Sequence, residues 1–156
     1  MTTIVFDGTT MSGDGRCTLG DTILSEEIVK VHNINNRLVG FAGRYSSGLR
    51  FLDWFEDFDN ANDLQQQAPY VSVNIPDLMA EDDFTALVAY PDGTLMLFEG
   101  GSNFYQIEAP YAIGSGADFA LAALDCGMTS EEAVEIACKR NVLSGGTILT
   151  IGFDVS

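Results

Sequence analysis

Hydrophobic and polar residues alternate in short runs at the start of the chain. The runs "TTIVF" and "TTMSGDG" flank the dipeptide Asp7-Gly8, which is favoured in two-residue hairpin turns. A two-residue turn at this point sets Thr2 opposite Gly13, beside Asp14. The pattern therefore predicts a hairpin that brings a carboxylate next to the beginning of the chain.

A second alternating run and a helical period follow. The run "EEIVKVHNI" predicts a strand with Lys30 and His32 on one face and the valines on the other, and "RLVGFAG" predicts a further strand. Over residues 46–58, large apolar residues recur at every third position, namely Leu49, Leu52, Phe55 and Phe58. This spacing predicts a helix with a broad apolar face.

The second half of the chain groups strands before helices. Residues 59–83 are polar with no sustained period, which predicts a long connection with at most short elements. The runs "FTALVAY", "TLMLFEG" and "NFYQIEA" then predict an antiparallel meander. Two helices are predicted next, over 117–126 and from "TSEE", where Thr129 and Glu132 have capping-box spacing. A closing strand, "GTILTIGFDV", completes an α+β layered fold with helices outside antiparallel sheets.

Composition narrows the class of protein. The 156 residues, 46% of them hydrophobic, are expected to form one domain over 1–156. Seven Lys and Arg against 23 Asp and Glu give a net charge of −16, which disfavours nucleic acid and anionic membranes as partners. The three cysteines lack a CxxC pair, so a disulfide framework and a zinc site are not expected and a reducing cytoplasm fits best. No cofactor is predicted, and the pattern leaves a structural metal undetermined.

Nucleophilic chemistry would have to do without a histidine base. The one histidine, His32, has no Ser/His/Asp or Cys/His pattern around it. If Met1 were removed, Thr2 would hold a hydroxyl and a free α-amine, whose reference pKa of about 7.7 to 8.0 lets it act as a base. A cation such as Lys30 would keep the pKa of that amine low.

Several short motifs follow one another along the chain, namely "TTIV", "GDGRCTLGDT", "VKV", "GFAG", "AIGSG" and "LSGGT". In kind and in order they resemble the motifs of proteasome β subunits and HslV peptidases, which are N-terminal-nucleophile hydrolases. The resemblance covers about 110 residues and is strong over 2–58 and 111–153. It implies a four-layer αββα sandwich, with reduced helix content in residues 59–83, where the family has a second long helix.

The resemblance assigns roles to residues in the first third of the chain. Thr2 matches the nucleophile, and Asp14 and Lys30 match a charged pair that orients and tunes it. Their 16-residue separation is the spacing found in the family. Gly40 in "GFAG" matches the glycine whose backbone N–H stabilises the oxyanion.

The resemblance also concerns three residues in the last third of the chain. Ser115 matches the serine near the terminal amine, and Ser144 belongs to the family's "SGG" element. Asn141 stands where proteasome subunits usually have an aspartate, so it keeps one acceptor but loses the charge. On this basis the sequence predicts that Asn141→Asp leaves activity unchanged or raises it.

The resemblance implies a threonine peptidase that cleaves polypeptides inside a homo-oligomeric ring of six or seven subunits, fed by an unfoldase ATPase. Two other readings stay open at this stage. Asn141 and the absent helix favour an inactive structural or binding subunit. An N-terminal-nucleophile amidase acting on small molecules is favoured if the protein is monomeric.

Overall fold

The computed structural model describes residues 2–61, 70–72, 84–99 and 103–155. Its strands are β1 (Thr3–Phe6), β2 (Thr10–Gly13), β3 (Cys17–Leu19), β4 (Thr22–Ser25), β5 (Val31–Ile34), β6 (Arg37–Ala42), β7 (Tyr70–Ser72), β8 (Thr85–Ala89), β9 (Leu95–Glu99), β10 (Asn103–Ile107), β11 (Tyr111–Gly114) and β12 (Leu149–Gly152). Its helices are α1 (Tyr45–Ala61), α2 (Ala117–Asp125) and α3 (Ser130–Arg140).

The strands form two main antiparallel sheets and one separate hairpin. One sheet has four strands in the order β11-β1-β2-β12, and the other has six in the order β5-β6-β8-β9-β10-β7. Strands β3 and β4 pair only with each other. The predicted meander is confirmed, because β8, β9 and β10 are neighbours in sequence and in the sheet.

Three layers of buried side chains separate the elements. Between α1 and the six-stranded sheet lies an aromatic core that includes Phe51 and Phe98. Between the two sheets, Ile4 and other aliphatic side chains form the second core. The third core packs α2 and α3 against the four-stranded sheet, with Val5 on the sheet side and Val134 on the helix side. The order of layers is helix, sheet, sheet, helices, as the resemblance implied.

The register predicted for the first hairpin is wrong by two residues. Ile4 pairs with Gly13, and the connection is longer than a two-residue turn. The Asp7 carboxylate closes this longer loop by accepting hydrogen bonds from the N–H groups of Thr9 and Thr10, at 2.9 and 2.8 Å. Because a shift of two residues preserves the alternation of faces, every side chain of the hairpin keeps its predicted side of the sheet.

The predicted helices are confirmed, and some strands were missed. Helix α3 begins with the capping box formed by Thr129 and Glu132. The strand predicted from "EEIVKVHNI" is shorter, because only Val31–Ile34 pairs in a ladder. The pairing of β3 with β4 and the strand β11 were not predicted. Within the described part of the chain, no helix is long and apolar enough to cross a membrane.

The connection predicted over residues 59–83 is described only in part. Helix α1 continues into its beginning, as far as Ala61, and β7 lies within it. The rest of that connection, and with it the predicted loss of a second long helix, lies outside the described residues.

Candidate active site

Asp14 is the centre of a buried polar cluster at the end of β2. Its side chain is 1% exposed. One carboxylate oxygen accepts from Lys30 Nζ at 3.0 Å and from the Thr3 N–H at 2.9 Å. The other accepts from the N–H groups of Gly145 at 3.0 Å and Arg16 at 3.3 Å. Asp14 thereby joins the first strand, the lysine and the loop after α3.

Lys30 lies directly before β5 and is almost completely buried, at 5% exposure. Besides Asp14, its ammonium group donates to the Arg16 carbonyl at 2.5 Å. Burial lowers the pKa of Lys30, and the nearby Asp14 carboxylate opposes that shift without cancelling it. The result is a lysine held in one position by two acceptors on the same segment of chain.

Thr2 is buried beside the turn that connects β11 to α2. Its backbone N–H donates to Ser115 Oγ at 3.2 Å, and its carbonyl accepts from the Gly116 N–H at 3.3 Å. Gly114 has a φ of +100°, and a side chain there would collide with the Thr2 carbonyl. The nitrogen of Thr2 is therefore fixed against a serine hydroxyl by close backbone packing.

Asn141, the C-cap residue of α3, holds two serines in place. Its Oδ1 accepts from Ser115 Oγ at 3.1 Å, Ser144 Oγ at 3.0 Å and the Leu143 N–H at 3.2 Å. Its Nδ2 donates to the Ser115 carbonyl at 3.1 Å. The Leu143 N–H can only donate and the Ser115 carbonyl can only accept, so the orientation of the amide is determined.

Thr3, the next residue along the strand, points to the opposite face from Thr2. Its hydroxyl is buried and is 2.7 Å from Ser144 Oγ. A side chain on Gly116 would overlap the Thr3 hydroxyl, so this contact depends on a glycine. Sequence reasoning gave Thr3 no function, and the structure makes it part of the support beneath Ser144.

A cavity of about 380 Å³ opens beside Thr2. Lys30 lines it, as do Phe41 and Gly43 at the end of β6. The hairpin of β3 and β4 forms another wall through apolar residues such as Leu24. This wall was missed because β3 and β4 are short and their pairing was not predicted.

The structure does not place Gly40 at this cavity. Phe41 donates its N–H to the Lys30 carbonyl at 3.4 Å, so the N–H groups of alternate β6 residues point toward β5. The N–H of Gly40 points the opposite way, toward its partner Leu87 in β8. Gly43 is two residues beyond Phe41, lines the cavity and has a φ of +126°. Gly43 replaces Gly40 as the candidate backbone donor.

His32 is not among the residues that line the cavity. Its ring stacks on Phe41 with 6.3 Å between centroids, and Nε2 is 3.2 Å from the Val29 carbonyl. Burial lowers the pKa of His32, which favours its neutral form. Among the residues that the structure describes, no group of three or more His, Cys, Asp or Glu side chains is arranged to hold a metal ion.

Comparisons with known proteins point in one direction. No family profile matches the chain. The HslV subunit of an ATP-dependent protease from Sulfurihydrogenibium sp. is 27% identical over 146 residues, covering 83% of this chain and 81% of that protein. The HslV subunit from Pseudothermotoga lettingae is also 27% identical, covering 90% of this chain and 88% of its own length.

Solved structures show the same fold. The HslV of Trypanosoma brucei superposes with a TM-score of 0.71 at 22% identity, over 96% of this chain and 97% of that one. A Thiobacillus denitrificans protein named BPH gives 0.68 at 18% identity, over 99% of this chain and 98% of that one, and it has also been solved in complex with epoxomicin. The chain is therefore similar to HslV protease subunits in sequence, and its fold is the one seen in the structure of HslV.

Proposed function

We propose that this protein is a threonine peptidase whose nucleophile is Thr2, freed by removal of Met1. The observation that carries the proposal is the position of the Thr2 nitrogen. It lies 3.2 Å from Ser115 Oγ, and Thr2 shares its cavity with the buried Lys30. A free amine at this point would have a hydrogen-bond partner and a neighbouring cation.

The reaction follows from these groups. The neutral α-amine takes the proton from the Thr2 hydroxyl as the oxygen attacks a peptide carbonyl, and an ester forms as the amide bond breaks. The Gly43 N–H stabilises the oxyanion, and the protonated α-amine returns its proton to the leaving amine. Water, activated by the same amine, then hydrolyses the ester and restores Thr2.

Lys30 and Ser115 prepare the amine for this role. The Lys30 cation disfavours protonation of a nearby amine, so it keeps the pKa of the α-amine low enough for the neutral form to exist at neutral pH. Ser115 Oγ donates to Asn141 and so presents a lone pair to the Thr2 nitrogen. That arrangement leaves the amine's own lone pair for the hydroxyl proton.

Asn141 does not by itself argue for an inactive subunit. Its Oδ1 accepts from both serine hydroxyls, as a carboxylate oxygen would, and its Nδ2 adds a bond to the Ser115 carbonyl. Asn141 therefore supplies the hydrogen bonds to Ser115 and Ser144 that the proposed peptidase site needs, without an aspartate at this position.

The proposed activity can be tested by intact mass after treatment with epoxomicin. An active protein gives a species that lacks Met1 and carries one inhibitor, with the adduct mapping to Thr2. The same preparation should hydrolyse fluorogenic peptides. Loss of Met1 with neither adduct nor hydrolysis would contradict the proposal.

Asn141→Asp should lower turnover at neutral pH, contrary to the expectation from the sequence alone. The new carboxylate oxygen would face the Ser115 carbonyl oxygen at the distance of 3.1 Å that Nδ2 now occupies. The added negative charge would also raise the pKa of the α-amine and reduce its neutral fraction. We expect a several-fold loss of kcat/KM at pH 7 that shrinks as the pH rises. Equal or higher turnover at pH 7, with folding intact, would contradict this account.

We further propose that the chain assembles into a ring of six or seven subunits, acts on polypeptides delivered by an unfoldase ATPase, and works in the cytoplasm. Leu19 and Leu24 of the β3–β4 hairpin are 73% and 66% exposed, and Leu49 on α1 is 44% exposed. Exposed apolar residues of this size suit contacts between subunits.

The three cysteines, all free, are compatible with a reducing compartment.

Ring assembly should depend strongly on salt. Each subunit has a net charge of −16, so closely packed copies repel one another until the charges are screened. Native mass spectrometry and light scattering should detect smaller species at low ionic strength and rings at about 0.5 M salt, where the Debye length is near 4 Å. Leu24→Asp should oppose assembly at every salt concentration. A monomer under all conditions would instead favour the hypothesis of an amidase that acts on small molecules.

A further inference from the structure

Arg16 closes the open end of the β3–β4 hairpin. It lies directly before β3, and Glu26 lies directly after β4. The Arg16 guanidinium group donates to both carboxylate oxygens of Glu26, from Nε at 2.7 Å and from Nη2 at 3.3 Å. This ion pair therefore joins the two ends of the hairpin that forms one wall of the cavity beside Thr2.

The same guanidinium group also contacts the loop that follows α3. Its Nη1 donates to the carbonyl of Val142, the residue after Asn141, at 3.0 Å. A side chain on Gly145 would overlap the guanidinium group, so Arg16 packs closely against the backbone of this loop. Arg16 thereby fixes the base of the hairpin to the loop whose first residue, Asn141, holds Ser115 in place.

The backbone of Arg16 contacts the charged pair of the proposed active site. Its N–H donates to Asp14 Oδ2 at 3.3 Å, and its carbonyl accepts a hydrogen bond from Lys30 Nζ. A displaced guanidinium group would allow this carbonyl to move, because the side chain anchors the residue. Movement of the carbonyl would change the position of the Lys30 cation in the cavity that Thr2 also lines.

We infer that Arg16 is a positioning residue for the proposed peptidase reaction and acts by holding Lys30 at a fixed position through its own carbonyl. The inference rests on the proposed function. A guanidinium group is planar and rigid, so it bonds the Glu26 carboxylate and the Val142 carbonyl together in one geometry. An ammonium group is a point charge on a flexible chain and does not impose that geometry.

The main test compares Arg16→Met and Arg16→Lys with the wild-type protein on one fluorogenic peptide. Misplacement of a group by about 1 Å can cost about a hundredfold in rate, so kcat/KM of Arg16→Met should fall by about that factor. Arg16→Lys keeps the charge without the planar fork and should recover only part of the loss. Glu26→Gln keeps an acceptor oxygen for Arg16 Nε and should be mild.

The pH profile of kcat/KM separates positioning from general damage. In both Arg16 variants, its acidic limb should move to higher pH, because a displaced Lys30 cation lowers the pKa of the Thr2 α-amine less. A shift in Arg16→Lys reports the position of Lys30, since the charge at residue 16 is retained. A merely structural role would lower turnover by the same factor at every pH.

Arg37→Met is the matched control. The Arg37 side chain is 24% exposed, against 23% for Arg16. It too bonds a carboxylate, that of Asp59 at 3.4 Å, and a backbone carbonyl, that of Asn35 at 3.1 Å. Arg37 lies on β6 and is not among the residues that line the cavity. Urea unfolding should show comparable losses of stability in the two Met variants, while Arg37→Met keeps its turnover and pH profile.

Gly145→Ala tests the inference without altering the arginine. Its methyl group would displace the Arg16 guanidinium group, so turnover should fall and the acidic limb should move in the same direction as in Arg16→Met. In the double variant Arg16→Met/Gly145→Ala, the methyl group should cause little further loss, because the group that it displaces is gone. Additive losses would overturn the inference.

The remaining outcomes separate the inference from the proposed function. Wild-type turnover and pH profile in Arg16→Met, or an equal loss of turnover in Arg37→Met, would overturn the role of Arg16 and leave the peptidase intact. If Arg16→Met does not fold, Arg16→Lys and Gly145→Ala decide the question by the same criteria. If the wild-type protein hydrolyses no peptide and Thr2 forms no adduct with epoxomicin, the proposed function fails, and the inference fails with it.

Discussion

Thr2→Ala is expected to abolish peptidase turnover, by at least about four orders of magnitude, because it removes the atom that attacks the substrate. Thr3→Ala should be far milder. It loses one buried hydrogen bond to Ser144, which is worth about 1 kcal/mol of stability, and keeps most of the turnover. The comparison uses one fluorogenic peptide, with circular dichroism to verify that each variant folds.

A third protein tests the need for a free amine. Insertion of a lysine between Met1 and Thr2 should prevent removal of Met1 and leave the Thr2 nitrogen in a peptide bond. Such a protein should fold normally and be inactive, since the nitrogen next to the hydroxyl can no longer accept a proton. Full activity in Thr2→Ala, or in the extended protein with its added residues verified by mass, would refute the proposed mechanism.

Asp14→Asn is expected to destabilise the protein by about 3 to 5 kcal/mol, because it leaves the Lys30 cation buried without its counter-charge. Turnover should be lost as well, since the asparagine no longer fixes Lys30 beside the amine. Urea unfolding gives the stability, and the fluorogenic peptide gives the turnover. Glu26→Gln is the control, because it removes a carboxylate from a more exposed pair, and it should have a much smaller effect.

The double variant Asp14→Asn/Lys30→Met distinguishes the two roles of the pair. With no charge left to bury, the double variant should regain much of the stability that Asp14→Asn loses. It should remain inactive, because the cation that lowers the pKa of the amine is gone. Wild-type stability in Asp14→Asn would show that Lys30 does not depend on Asp14 for its burial.

Local chemistry explains why much of the fold was predictable. The capping box of Thr129 and Glu132 starts α3 through contacts within one turn, so it can be recognised from four consecutive residues of the sequence. The meander of β8, β9 and β10 needs only short connections between alternating runs. The first hairpin was predicted with the wrong register because the Asp7 side chain closes a longer loop than the turn dipeptide indicated.

The sequence by itself determined the groups that we propose for the chemistry: a threonine directly after Met1, a lysine and an aspartate 16 positions apart, and no histidine pattern to replace them. Tertiary structure decided how they are supported. Ser115 and Asn141 are 26 positions apart, and Thr3 and Ser144 are 141 apart, so only packing of α3 and its following loop on the first strand brings them together. Tertiary structure also decided that Gly43, and not Gly40, is the candidate donor to the oxyanion. In a sheet, the pairing of the strands decides to which side a backbone N–H points. The residue type gives no information about that direction.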